Sequence, residues 1–140
     1  MDYKDFYADW LKNVNEDQKK ELEAIKDNDK EIRERFTIPL AFGTAGMRGI
    51  ICMGISNMNE YTVARATKGL ADYISSLGEA EKKRGVAISY DTRRMSFDFA
   101  LTTAQVLGYI ALCRYYQSGR SLEGFFQQGY DNGCHVVSGE

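Results

Sequence analysis

The chain has one proline, one histidine, three cysteines and no long apolar run in its 140 residues, and each shortage excludes something. No stretch approaches the ~18 consecutive apolar residues that a membrane-spanning helix needs. The start, Met1-Asp2-Tyr3-Lys4-Asp5, is polar and has no apolar secretory core, so the expected compartment is the cytoplasm and no membrane partner is expected. Cys52, Cys113 and Cys134 are odd in number and contain no Cys-x-x-Cys pair, which favours free thiols in a reducing compartment over a disulfide framework. His135 adjoins Cys134 but has no acidic or further cysteine partner at ligand spacing, so it reads as a surface histidine and no metal site is assigned. An excess of positive charge is missing too: Lys+Arg 18 stand against Asp+Glu 20, a net charge of -2. That balance removes the basic field on which nucleic acid or an anionic bilayer would depend. The Tyr- and Phe-rich tail with Arg114 and Arg120 has no RNP-like pattern, and no nucleic-acid partner is expected.

What remains, 44% hydrophobic and 27% charged residues, suits one globular domain or part of one. Residues 3–35 are charged, with Phe6, Trp10 and Val14, then Leu22, Ile25 and Ile32, at helical spacing; they predict two amphipathic helices separated near Asn15-Glu16-Asp17, with Asn15 or Asp17 as cap. Pro39 turns Ile38 away from helical dihedrals and closes this region. A glycine-rich loop at 42–49 leads to Ile50-Ile51-Cys52-Met53, read as a short strand, and then to Asn59 as an N-cap. The helix from Glu60 is expected to carry Tyr61, Ala64, Leu70, Ile74 and Leu77 largely on one apolar face, with Val63, Ala66 and Ala71 beside them, and to end at Gly78. A charged connector, 79–84, precedes an apolar strand at 85–90. A helix capped by Ser96 follows, with Phe99, Thr103, Val106, Leu107 and Ile110 on its apolar stripe. Strands alternating with helices define an α/β class: an incomplete α/β/α sandwich, its parallel or mixed sheet covered on both faces, preceded by an N-terminal helical segment.

Two segments could carry chemistry. In Phe42-Gly43-Thr44-Ala45-Gly46-Met47-Arg48-Gly49, the glycines allow positive φ and convergent N–H groups, Thr44 adds a hydroxyl, and Arg48 adds a forked, permanently charged donor suited to phosphate oxygens. The loop is neither a Walker A sequence nor a dinucleotide fingerprint, and spacing alone leaves a tight structural turn open. Tyr90-Asp91-Thr92-Arg93-Arg94 lies at the carboxyl end of a predicted strand, where open α/β sheets place their ligands. There Asp91 could fix an arginine while Arg93 or Arg94 meets a phosphate; the alternative is a pair that merely organises the turn.

Taken in order, the 42–49 loop, the Met58-Asn59 helix start, Lys68-Gly69-Leu70-Ala71-Asp72-Tyr73 and Gly85-Val86-Ala87-Ile88-Ser89-Tyr90-Asp91-Thr92-Arg93 resemble the α-D-phosphohexomutase superfamily. The nearest branch is that of bacterial phosphoglucomutase and phosphomannomutase, and the resemblance runs from about Leu11 to about Leu107. It implies a four-domain enzyme that moves phosphate between C1 and C6 of a hexose by way of a Mg²⁺-bound phosphoserine, with glucose 1,6-bisphosphate as activator. By position, Thr44, Arg48 and Arg93 would bind substrate phosphate, with Gly43, Gly46, Gly49 and Asp91 in support. The expected organisation is an N-terminal helical segment over 1–38, a partial domain I over 39–107 and a divergent tail, poorly ordered in part, over 108–140.

Past Leu107 the family pattern calls for another strand, a helix and a Thr-Ala-Ser-His-Asn-Pro loop bearing the nucleophile. None of these is recognisable, and the Asp-Gly-Asp-x-Asp-Arg metal loop and the Gly-Glu-x-Ser-Gly-His sugar loop are also missing. The abrupt loss reads as a truncated, frame-shifted or rearranged continuation. No nucleophile or metal ligand is assigned, and Ser96, Ser118, Ser121 and Ser138 have no claim to the role. The expectation is an enzyme by descent whose 140 residues are inactive alone, with a hexose phosphate as ligand and self-association through an uncovered sheet edge. The alternatives are a non-catalytic phosphate- or partner-binding α/β module and a gene remnant.

Overall fold

The computed structural model describes residues 2–44, 46–108 and 113–117. The chain divides into two compact units, Met1–Thr62 and Val63–Glu140.

In the first unit, three helices form where two were expected: α1 (Tyr3–Asn13), α2 (Glu16–Glu23) and α3 (Asp29–Phe36). Each starts on a side-chain cap. Asp2 pairs reciprocally with Asp5, Asn15 with Gln18, and the Asn28 side chain accepts from the Glu31 amide. Asn28 explains the extra break. It supplies an N-cap in the middle of what periodicity alone reads as one helix, and Ile25 and Ile32 still reach the same core. Leu22 and Phe36 are fully buried there with Ile55, and Tyr7 and Trp10 both meet the Phe36 ring edge-on at 5.6 Å. Aromatic contacts of this geometry add to the burial itself. The expected strand at 50–53 does not form. Only an isolated parallel bridge, Ile51 with Met58, occurs there, because 52–58 fold into a tight turn whose carbonyls are claimed by side chains.

Asn59 caps α4 (Glu60–Leu77) as expected. Its Oδ1 accepts from the Thr62 amide, while its own amide donates to Thr62 Oγ1. Gly78 ends the helix at φ +109°. The charged connector is itself helical, α5 (Glu79–Arg84), supported by Glu79–Lys82 and Glu81–Arg84 pairs.

In the second unit, β1 (Val86–Tyr90), α6 (Ser96–Gly108) and β2 (Cys113–Gln117) form a β-α-β unit. The strands are parallel, in register Val86 to Cys113, Ile88 to Tyr115 and Tyr90 to Gln117. A strand therefore does follow Leu107, within the stretch where none was recognised by sequence. Val86, Ile88 and Tyr90 alternate inward against Ala71 and Ile74 of α4 and Ala100, Ala104 and Leu107 of α6. Along β1, Ile88 is buried and Val86 and Tyr90 half-buried, whereas Ala87 and Ser89, on the opposite face, are exposed; a parallel sheet with helices packed on it fits the incomplete α/β fold expected.

The buried stripes differ in part from those expected. On α4, Val63 and Ala71, expected beside the apolar face, are buried, and so is Thr67, whereas Tyr61, Leu70 and Leu77 are exposed. Thr67 can go inside because its hydroxyl donates to the Val63 carbonyl at 2.8 Å. On α6, Ala100 and Ala104 join Leu107, small side chains that let the helix approach the strand closely. Ile110 and the tail residues from Ser118 onward lie outside the described residues. No helix among the described residues is long and apolar enough to cross a membrane.

Candidate phosphate-binding turns

In the first unit, the 42–49 loop rises from two fixed stems. On the entry side, Leu40 donates its amide to Ile55 O at 2.8 Å, and Ser56 Oγ donates to Ile38 O at 2.5 Å. On the exit side, the Met58 amide donates to Ile50 O at 2.8 Å. Gly43 and Gly46 close the tip by exchanging two N–H···O bonds of 3.1 Å, with Gly46 at φ +86°. These two amides are therefore engaged with each other rather than presented as an anion nest. Gly49 has a steric role: a Cβ there would lie 3.2 Å from Leu40 Cδ1 and 3.3 Å from the Met58 nitrogen.

Thr44 and Arg48 are exposed, and neither forms a hydrogen bond or ion pair among the described residues. The amides of Met47, Arg48 and Gly49 likewise form no backbone hydrogen bond among them. The loop thus offers a fixed base and, among the described residues, an unpartnered guanidinium, hydroxyl and N–H groups. The permanent charge and forked donors of Arg48 suit an anion.

In the second unit, the turn after β1 is built around Asp91. Its Oδ1 accepts the Arg93 amide at 3.1 Å and its Oδ2 accepts Arg93 Nε at 2.6 Å. The Arg93 amide, then the Ser96 hydroxyl, hold the Asp91 carboxyl below the usual aspartate range. Arg93 is 86% exposed, and with Nε occupied its two terminal nitrogens have no partner among the described residues. Asp91 organises the turn and aims the arginine outward. Ser96 does not cap α6 as expected. It is the first residue of the helix, and its Oγ accepts the Asp91 amide at 3.1 Å. Met95 takes the cap position, its carbonyl accepting from Phe99, at φ +63°. A left-handed non-glycine residue at the mouth of such a turn is an uncommon, strained conformation.

Sequence reasoning missed Met95, whose backbone conformation leaves no mark in composition. It also missed Glu21 and Arg35, whose ion pair holds the Met53 amide; the Glu31-to-Arg35 spacing on α3 was the available sign. Among the described residues, no three His, Cys, Asp or Glu side chains gather as a metal ligand set. They do not fit the Mg²⁺ that the family resemblance implies, and no ligand is assigned.

The 42–49 turn carries Arg48 and the turn after β1 carries Arg93, the latter at the carboxyl end of a parallel strand, the position where open α/β sheets commonly place their ligands. Residues 39–110 match the phosphoglucomutase/phosphomannomutase, alpha/beta/alpha domain I family, and the chain belongs to that family. It is 35% identical over 98 residues to a phosphoglucomutase of Staphylococcus aureus (strain MRSA252), covering 70% of this chain and 17% of that protein. It is 38% identical over 77 residues to a phosphopentomutase of Pongo abelii, covering 51% and 13%. To a glucose 1,6-bisphosphate synthase of Mus musculus it is 34% identical over 87 residues, covering 60% and 14%. The chain thus spans less than a fifth of the length of these curated relatives. No solved structure gave a significant match.

Proposed function

We propose that this chain is the phosphate-loop portion of a cytoplasmic phosphohexomutase, in which Arg48 with Thr44, and Arg93 held by Asp91, each bind phosphoryl oxygens of a hexose phosphate. The observation that carries the reading is Arg48: an exposed guanidinium with no partner among the described residues, on a loop whose two stems are fixed. Transferring a dianionic phosphoryl group calls for positive charge fixed where oxygen charge accumulates, and little covalent work from the protein. A guanidinium with free terminal nitrogens meets that requirement, and a permanently charged one meets it at any physiological pH.

The relative named as a phosphoglucomutase supports a hexose phosphate as ligand, and the one named as a glucose 1,6-bisphosphate synthase supports handling of that bisphosphate, which the proposal takes as activator. The printed sequence has no Thr-Ala-Ser-His-Asn-Pro stretch, and the same reading expects no turnover from these 140 residues alone. A coupled assay with glucose 1-phosphate, Mg²⁺ and glucose 1,6-bisphosphate is expected to stay at blank. Self-association through a strand edge is part of the same reading, and a concentration-independent monomer in sedimentation would remove it.

The test of the binding claim is an amide NMR titration with glucose 1-phosphate and, separately, inorganic phosphate. The expected shifts fall on 44–49 and 91–94 and vanish locally in Arg48→Ala and Arg93→Ala. Absence of shifts at both turns would refute the reading. Equal responses to phosphate and to the sugar phosphate would favour a non-catalytic phosphate-binding module instead.

A further inference from the structure

We infer that Glu21 and Arg35 are positioning residues for the 42–49 loop, transmitting the packing of the N-terminal helices to the phosphate-binding turn; this rests on the reading of that turn as a phosphate site. The connection runs through hydrogen bonds on residues 21–58. Glu21 Oε1 accepts from the Met53 amide and from Arg35 Nη1, both at 2.8 Å. Arg35 Nη2 is held by Glu31 at 2.5 Å, and the Arg35 side chain is only 15% exposed. Arg35 also uses its backbone: its carbonyl accepts the Ser56 amide at 3.0 Å.

The turn at 53–58 is therefore pinned to α2 and α3 at one end by a partly buried ion pair and in the middle by a main-chain bond. That same turn supplies the fixed partners of both loop stems. Ile55 O and Ser56 Oγ hold the entry, and the Met58 amide holds the exit. Among the described residues, Glu21 and Arg35 form no hydrogen bond or ion pair with the 42–49 loop, so their effect on Arg48 passes through the turn. Gly54 makes the seat tight, since a Cβ there would lie 2.7 Å from the Arg35 carbonyl. A charged pair with a main-chain amide on the same oxygen is a directional anchor, which apolar packing of α2 on α3 would not supply.

The experiment uses the full chain in three variants. Glu21→Ala removes the acceptor, Glu21→Gln restores an oxygen for the Met53 amide, and Tyr7→Phe removes an unrelated bond of the same helical core, Tyr7 Oη to Leu22 O. Amide exchange at Leu40 and Met58 is read relative to the Phe36 amide in the same sample. Glu21→Ala is expected to speed exchange at those two amides by about tenfold over that reference, with partial recovery in Glu21→Gln and no selective change in Tyr7→Phe. Arg35→Lys, which keeps charge but loses the fork, is expected to fall between Glu21→Ala and wild type.

The phosphate midpoint followed at Arg48 is expected to weaken several-fold in Glu21→Ala. If Glu21→Ala alters Leu40 and Met58 no more than Tyr7→Phe does, or only in step with Phe36, the inference is overturned. If the exchange pattern is as expected but wild type shows no phosphate response, the phosphate reading fails and the positioning of the loop stands.

Discussion

Replacing Asn59 tests whether one side chain joins the start of α4 to the turn beneath the glycine loop. Asn59 is 2% exposed. Its Oδ1 caps the helix at Thr62, and its Nδ2 donates to Cys52 O at 3.0 Å and Gly54 O at 2.8 Å. Asn59→Ala loses the cap, worth about 1 kcal/mol. It also strips a donor from two carbonyls inside the fold, at about 1–3 kcal/mol for each acceptor left unpaired. Relaxation of the turn recovers part of this, so the expected loss is about 3 kcal/mol, a large share of a domain's typical ~5–15.

Two further substitutions separate the terms. Asn59→Ser restores only the cap and is expected to recover about 1 kcal/mol. Asn59→Asp keeps the cap acceptor but turns a carboxylate toward two carbonyl oxygens, so at neutral pH it is expected to be no better than alanine. The introduced carboxyl would have a raised pKa in the folded state, so the deficit of Asn59→Asp should shrink as pH falls through that value, when the acid can donate. Urea unfolding followed by Trp10 fluorescence reports on this region, since the single tryptophan packs edge-on against Tyr61 at 5.1 Å. A loss under about 1 kcal/mol for Asn59→Ala, or serine no better than alanine, would refute the reasoning.

Other expectations follow from single contacts. Gly54→Ala meets the Arg35 carbonyl at 2.7 Å and a φ of +129°, whereas Gly46→Ala at φ +86° meets nothing within 4 Å. Thermal melts should show Gly54→Ala losing about 3 kcal/mol or more and Gly46→Ala only about 1. Burial pushes the Cys52 thiol up, with Arg35 opposing. Peptide-resolved alkylation should find Cys52 slower than a free thiol near pH 8 and catching up only at higher pH; rapid labelling there would contradict the packing. The Asp91 carboxyl is held down first by the Arg93 amide and then by the Ser96 hydroxyl. Its contribution is therefore present above the ordinary aspartate pKa and lost as pH falls through the lower folded value. A carboxyl ¹³C titration should place its midpoint below that of an unstructured aspartate, and Ser96→Ala should move it upward.

Much of this fold can be read from local chemistry. Asn15, Asn59 and Gly78 act where residue type predicts, because a cap or a left-handed glycine is decided within a few residues of itself. What escaped depends on partners distant in the chain. The run 50–53 looks like a strand but finds no neighbouring strand. Glu21 and Asn59 claim its hydrogen-bonding groups from 32 and 7 residues away. On α4, counting large apolar residues favours Leu70 and Leu77, yet Thr67 and Ala71 face the core, since the Thr67 hydroxyl is satisfied by its own helix and alanine permits close approach. β2 has few sequence cues of its own and is recognised by its parallel pairing with β1.

In the two turns, glycine, arginine and aspartate were legible as residue types with anion chemistry. Their division of labour was not. That Gly43 and Gly46 bond to each other, and that Ser96 holds Asp91 instead of capping α6, follows only once the backbone path is fixed.

Calorimetric titration of glucose 1-phosphate into the wild-type chain and into Arg48→Gln bears most directly on the claim that the glycine turn receives a phosphoryl group. Losing a charge-assisted hydrogen bond of about 1.5–3 kcal/mol should weaken binding at least about tenfold. Because Arg48 has no partner among the described residues, the melting temperature should not move. Unchanged affinity in Arg48→Gln, or a fall in stability with affinity preserved, would contradict the account.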